Sequence, residues 1–283
     1  MAVGKLGGFV RLIRPLNCVV MSFGVVVGVS LTGLGNMHWL SLLYGALTAF
    51  TLTGAAMAVN DYYDFDIDKI NEPQRPIPSG EVSMRAALVV TTVLTVVGLG
   101  FAYAISLYCL VFAVAAWAIM VAYSTFGKRR GLAGNLLVSA CVAAPFLYGS
   151  LVAVNSVMGN ILLFASMAFL SNTGREVAKG IVDVQGDGAH NIRTLAVRFG
   201  ERKAAFAAAA LFVFAVCLSP LPLVFNLVSF WFVPFVLVTD AGLVWCSASL
   251  IRNPSRDNAR RIKKTVLYLF VFGLLAFVFG MIG

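Results

Sequence analysis

Nine apolar runs, each close to the roughly 20 residues a helix needs to cross some 30 Å of hydrocarbon, leave this chain almost no way to fold in water. They fall near residues 16–35, 40–62, 84–104, 107–125, 134–154, 160–182, 203–222, 227–250 and 265–282. Unpaired backbone groups are intolerable in lipid, so a spanning chain is either helical or a closed barrel. A barrel would alternate apolar and polar residues, and these runs do not alternate. With 60% hydrophobic and 12% charged residues, the reading is an all-α polytopic membrane protein of nine transmembrane helices, one domain over 1–283. The first run is long enough to span and has no clear small-residue cleavage site behind a short core, so it is expected to remain as a helix. Cys18, Cys109, Cys141, Cys217 and Cys246 stand singly in apolar runs and read as packed thiols.

The basic residues all fall on one side of this arrangement. The amino terminus holds three (Lys5, Arg11, Arg14), the second connection three (Lys69, Arg75, Arg85) and the fourth three (Lys128, Arg129, Arg130). The sixth helix end and its loop hold six (Arg175, Lys179, Arg193, Arg198, Arg202, Lys203), and the eighth connection six more (Arg252, Arg256, Arg260, Arg261, Lys263, Lys264), which accounts for all 21. By the positive-inside rule that side is cytoplasmic, with the amino terminus inside. The formal charge of +9 therefore belongs to loops, and no nucleic-acid partner is expected. The acids share this sidedness except Asp240, mid-way along the eighth run, where a carboxyl marks either a functional site or a hydrogen bond between helices.

Two clusters carry the chemistry. In NDYYDFDID (Asn60 to Asp68) the residues Asn60, Asp64 and Asp68 are four apart and form one stripe on a continuous helix, with Asp61 beside it. Stacked acids repel unless a cation sits among them, and carboxylates with an amide suit Mg2+ better than zinc. In NTGREVAKGIVDVQGD (Asn172 to Asp187) the residues Asn172, Glu176, Asp183 and Asp187 share a face, with Lys179 in reach. Each stripe is followed by an arginine, Arg75 in RPIPSG and Arg193 in NIRTLAVRFG. Acids beside arginines fit a diphosphate held through Mg2+, because the metal bridges carboxylate to phosphate while arginine forks onto the remaining oxygens. Tyr123 and Lys128 are candidates to add a phenol and a point charge. An apolar bundle beneath a diphosphate site suits a long isoprenoid chain, whose ionisation needs cations on the leaving group and a dry wall.

The halves also carry a faint repeat of a four-helix unit. Asp64, Asp68, Arg75 and Arg85-Ala-Ala correspond to Asp183, Asp187, Arg193 and Lys203-Ala-Ala, and Asn17 precedes the first set by nearly the distance at which Asn135 precedes the second.

Over essentially the whole chain these residues resemble the UbiA superfamily of intramembrane prenyltransferases, whose NDxxDxxxD-type and DxxxD-type motifs match Asn60, Asp61, Asp64 and Asp68, and Asp183 and Asp187. The resemblance implies nine helices around a central cavity capped at the cytoplasmic side, and Mg2+-dependent transfer of a prenyl group from its diphosphate. It makes Asp64, Asp68, Asp183 and Asp187 catalytic, with Asn60 joining them as metal ligands, and Asn60, Arg75, Tyr123, Lys128, Lys179 and Arg193 diphosphate-binding. Asn60 to Gly80 looks most like the archaeal digeranylgeranylglyceryl phosphate synthases. That implies geranylgeranyl diphosphate as donor and geranylgeranylglyceryl phosphate, a lipid-like phosphate, as acceptor, with Arg14 and Asn17 as candidates to bind it. One departure is Gly180, where many relatives carry an acid. His38 and His190 match no catalytic pattern. The alternatives are an aromatic or haem acceptor, or, in another class, a divalent-cation or lipid transporter, although transport sites lie near the midplane and these acids lie at helix ends.

Overall fold

The computed structural model describes residues 2–32, 38–189 and 192–282, without the side chains of residues 2–6, 70, 71, 128, 129 and 189. In chain order the helices are α1 (Ala2–Ile13), α2 (Pro15–Thr32), α3 (Trp39–Tyr63), α4 (Phe65–Asn71), α5 (Met84–Ile105), α6 (Leu107–Thr125) and α7 (Leu132–Val154). They continue with α8 (Gly159–Val182), α9 (Val184–Ala189), α10 (Leu195–Phe199), α11 (Glu201–Leu218), α12 (Leu221–Val224), α13 (Phe232–Arg252) and α14 (Arg256–Phe279). No strand occurs among the described residues.

Eight helical segments are long and apolar enough to cross a membrane: α2, α3, α5, α6, α7, α11 with α12, α13 and α14. The sixth of the nine expected runs is α8, which at 24 residues has the length, but Asn172, Arg175, Glu176 and Lys179 make its last third polar. Three boundaries differ from expectation. A further helix, α1, precedes the first span and breaks from it at Arg14, whose φ of 51° is left-handed. The eighth span begins at Phe232 rather than near 227, because Asn226 turns the chain with φ 53° and the Ser229 amide bonds the Gly280 carbonyl. The last helix begins at Arg256 rather than near 265, since a helix needs an apolar face only within lipid and the basic stretch simply continues its winding.

The chain divides into two compact units, residues 1–126 with 145–157, and residues 127–144 with 158–283; the division within α7 falls at Pro145. In the first unit α3 packs against α5, α2, α6 and α1. Its cores are Val25, Val29, Ala102, Cys109, Tyr148 and Val152 at one level, and Leu12, Ala58, Ile77, Val82 and Ala87 at another. Where α2 crosses the end of α7, a Cβ on Gly28 would stand 2.3 Å from the Phe146 carbonyl oxygen, and one on Gly149 2.5 Å from that of Val25. This is backbone-to-backbone packing of the kind that drives helix association in lipid. In the second unit α8 packs against α11 and α14, and α13 against both α14 and α11, around Ile181, Ala205, Phe212, Leu250 and Ile262. Four of the five cysteines are buried as expected, but Cys217 is exposed, because its helix presents that face outward.

Candidate functional site

The first acidic stripe is not on a continuous helix. α3 ends at Asp64 (φ −86°, ψ 1°), and α4 starts at the next residue. The winding nevertheless survives the break: the Asp64 amide bonds the Asn60 carbonyl at 2.9 Å and the Asp68 amide bonds the Asp64 carbonyl at 2.7 Å. The stripe is thereby kept, and the Asn60 side-chain amide donates to Asp64 Oδ2 at 2.9 Å. Asp61, Asp64 and Asp68 are 1%, 3% and 4% exposed, an unusual depth for three carboxylates.

Two arginines from distant segments compensate them. Arg75 donates to Asp68 at 2.5 Å and to Asp61 at 3.2 Å. Its loop is fixed from below by Ile77 and Val82, which pack on Leu12 of α1 and Ala58 of α3, and α1 adds an ion pair between Arg11 and Glu81. Arg14, at the left-handed break between α1 and α2, donates to Asp61 at 2.6 Å. Arg14 and Asn17 also both reach the Met57 sulfur, at 3.7 and 3.6 Å, one helical turn from Asp61. Burial pushes the Asp68 carboxyl up to about 6, against the pull of Arg75 and with the help of Asp64 and Asp61. Burial works to lower Arg75, but the same three acids more than offset it and hold the guanidinium charged.

The second cluster uses the same local device. α8 ends at Asp183 (φ −98°, ψ 6°), the Asp187 amide bonds the Asp183 carbonyl at 2.8 Å, and the Ile192 amide returns to the Asp187 carbonyl at 2.9 Å. Asp183 and Asp187 are half-buried. Two turns before Asp183, Glu176, 8% exposed, pairs with Arg175 at 2.9 Å and Lys179 at 3.5 Å. Buried Asn172 donates to the Ser139 hydroxyl of α7 at 3.1 Å. The connection after Asp187 is fixed at Arg193, whose carbonyl oxygen lies only 2.0 Å from where a Cβ on Gly131 (φ +58°) would be. Gly180 faces Thr194, the N-cap of α10, so this position abuts a helix start.

Of the residues anticipated from sequence, Asn60, Asp64, Asp68, Arg75, Arg14 and Asn17 thus gather in the first unit, and Lys179, Asp183 and Asp187 in the second. Tyr123 is buried at the end of α6 and Arg193 is exposed. The Lys128 side chain and His190 lie outside the described residues; His38 is exposed ahead of α3. The sequence puts Asp61 beside the stripe and within the family motif but assigns it no role of its own, yet it joins the two arginines. Sequence reasoning also passed over Lys263 of α14, whose carbonyl accepts from Arg175 at 3.4 Å and which is in electrostatic reach of Asp183 and Glu176. Nothing in the sequence places residue 263 near 175–183.

No three acidic, histidine or cysteine side chains among the described residues converge as a metal cage. The donor set still fits Mg2+, which takes hard oxygen ligands and typically only one or two carboxylates, completing its octahedron with water and substrate phosphate. Asn60, Asp64 and Asp68 offer oxygen donors alone, and burying three carboxylates beside two arginines leaves room for additional positive charge.

The arrangement has close parallels. The chain is 38% identical over 275 residues to the digeranylgeranylglyceryl phosphate synthase of Archaeoglobus fulgidus, covering 95% of this chain and 93% of that one. Among solved structures it superposes with a TM-score of 0.79 on one described as giving structural and mechanistic insights into digeranylgeranylglyceryl phosphate synthase in membranes, at 27% identity and 98% coverage of both chains. A UbiA homologue from Archaeoglobus fulgidus bound to GPP and Mg2+ shares the fold, with a TM-score of 0.68 at 16% identity over 96% of this chain and 99% of that one. Residues 21–274 match the UbiA prenyltransferase family, and with that match reaching from within α2 to within α14 and taking in both acidic breaks, the chain belongs to this family of multi-pass membrane proteins.

Proposed function

We propose that this chain transfers a geranylgeranyl group from geranylgeranyl diphosphate to the free hydroxyl of geranylgeranylglyceryl phosphate, with Mg2+, as one catalytic domain in archaeal membrane ether-lipid synthesis. The observation that carries this reading is the buried assembly of Asp61, Asp64 and Asp68 with Arg14 and Arg75, which provides cationic groups for two separate phosphate-bearing ligands. The name of its 38%-identical relative supports the same donor and acceptor. Transport gives way as the alternative, since the acids lie at helix breaks within a prenyltransferase family.

In the reaction the bond between C1 of the donor and its diphosphate oxygen breaks, the acceptor hydroxyl oxygen bonds C1, and the hydroxyl proton leaves with diphosphate as the other product. Mg2+ supplies charge neutralisation on the departing diphosphate. Asp64 and Asp68, oriented by Asn60 and Arg75, and Asp183 and Asp187 provide its carboxylates. Arg75, Lys179, Arg193, Tyr123 and Lys128 bind diphosphate oxygens, and Arg14 with Asn17 binds the acceptor phosphate. The apolar helices exclude water from the allylic cation. The amino terminus and both acidic breaks face the cytoplasm, where the basic loops lie.

The test is to incubate purified protein with Mg2+, geranylgeranyl diphosphate and a panel of phosphate, aromatic and haem acceptors, and to measure diphosphate release and prenylated product. Asp64→Ala and Asp183→Ala are each expected to lower turnover by at least about a hundredfold, the scale of losing one electrostatic group in a transition state, with unchanged helical circular dichroism. Absence of product with every acceptor, together with Mg2+ flux in liposomes, overturns the reading.

A further inference from the structure

Asp61 is the most deeply buried carboxylate of the first cluster, 1% exposed, and it is off the metal stripe. On a helix it stands about 100° around the axis from Asn60, whereas Asn60, Asp64 and Asp68 advance by only about 40° per step. A single oxygen, Oδ1, accepts from Arg14 at 2.6 Å and from Arg75 at 3.2 Å. These guanidiniums come from the α1–α2 break and from the loop after α4, segments that approach α3 independently. Two like charges brought this close repel, and a carboxylate between them converts that repulsion into a shared anchor. Each guanidinium has five N–H donors, so pairing with Asp61 leaves several on each to receive another anion.

Resting on the reading just given, we propose that Asp61 is a positioning residue that holds Arg14 for the acceptor phosphate and Arg75 for the donor diphosphate, and that it does not ligate the metal. It sets the spacing between two phosphate-bearing substrates by fixing the cations that receive them. Asp61→Asn keeps the shape and removes the charge that both guanidiniums share.

Two measurements test it. In calorimetric titration with Mg2+ alone, Asp61→Asn binds within about twofold of wild type, whereas Asp64→Asn binds at least about tenfold more weakly. In steady-state assays Asp61→Asn raises the acceptor KM about tenfold, the scale of a lost charge-assisted hydrogen bond, and changes kcat less. The double variant Asp61→Asn/Arg14→Gln has an acceptor KM no higher than Arg14→Gln alone, because both act on one contact. The positioning role is overturned if Asp61→Asn loses Mg2+ affinity as Asp64→Asn does, if the two KM effects multiply, or if only kcat and melting temperature fall. Should Asp61→Asn not fold, Asp61→Glu retains the charge and is held to the same three criteria, with a smaller rise in KM. Failure of the wild type to turn over any acceptor would instead remove the functional reading, and the calorimetry would still decide whether Asp61 is a metal ligand.

Discussion

A carboxyl half-way along a lipid-crossing helix is costly unless something shares its proton or its charge. Asp240 on α13 has that partner: the buried Ser219 hydroxyl at the end of α11 donates to Asp240 Oδ2. This pair joins two helices of the second unit well away in sequence from both acidic breaks, which makes Asp240 a structural residue. Asp240→Asn is expected to leave turnover within about twofold of wild type and to lower stability by about 1 kcal/mol, as interhelical hydrogen bonds in lipid do; activity and thermal unfolding in detergent check both parts. Gly180 presents the reverse case. A Cβ there meets the Thr194 side chain at 3.4 Å, ordinary contact distance, so Gly180→Ala is expected to retain activity and to gain up to about 1 kcal/mol from helix propensity, read as a higher melting temperature. The identity of the acids was legible in the sequence, since four-residue spacing is a local property. The role of Asp61 was not, because its partners Arg14 and Arg75 reach it through tertiary packing.

At the level of elements, the spans were readable to within a few residues wherever lipid dictated their length. The breaks at Asp64 and Asp183 were not, because neither carries the glycine or proline that usually announces a helix end. Nor was α1, whose three glycines mask its helical pattern and which becomes intelligible only against what it covers. Phe9 and Leu12 of α1 pack with Ala58, Ile77 and Val82, so α1 is the surface that holds the loop of Arg75. Leu12 is fully buried; Leu12→Ala is expected to cost about 2–4 kcal/mol and to weaken donor binding by loosening that loop. Thermal unfolding and the KM for geranylgeranyl diphosphate measure the two effects.

For the whole molecule, the proposed topology places the connections that hold the 21 basic residues on the cytoplasmic side. In a cysteine-free background, Asn253→Cys is expected to react with an impermeant maleimide only in inside-out vesicles, and Asn155→Cys only in right-side-out vesicles; the opposite pattern would invert the topology. The glycine crossing of α2 with the end of α7 adds a temporal consequence. Val25 and Gly28 meet Phe146 and Gly149 at backbone distance, more than a hundred residues later in the chain. During synthesis α2 enters the bilayer long before its partner exists, and its glycine-lined face waits against lipid until α7 emerges from the ribosome. The first unit, with Arg14 and Asp61 in it, is therefore completed only after synthesis has already moved on into the second.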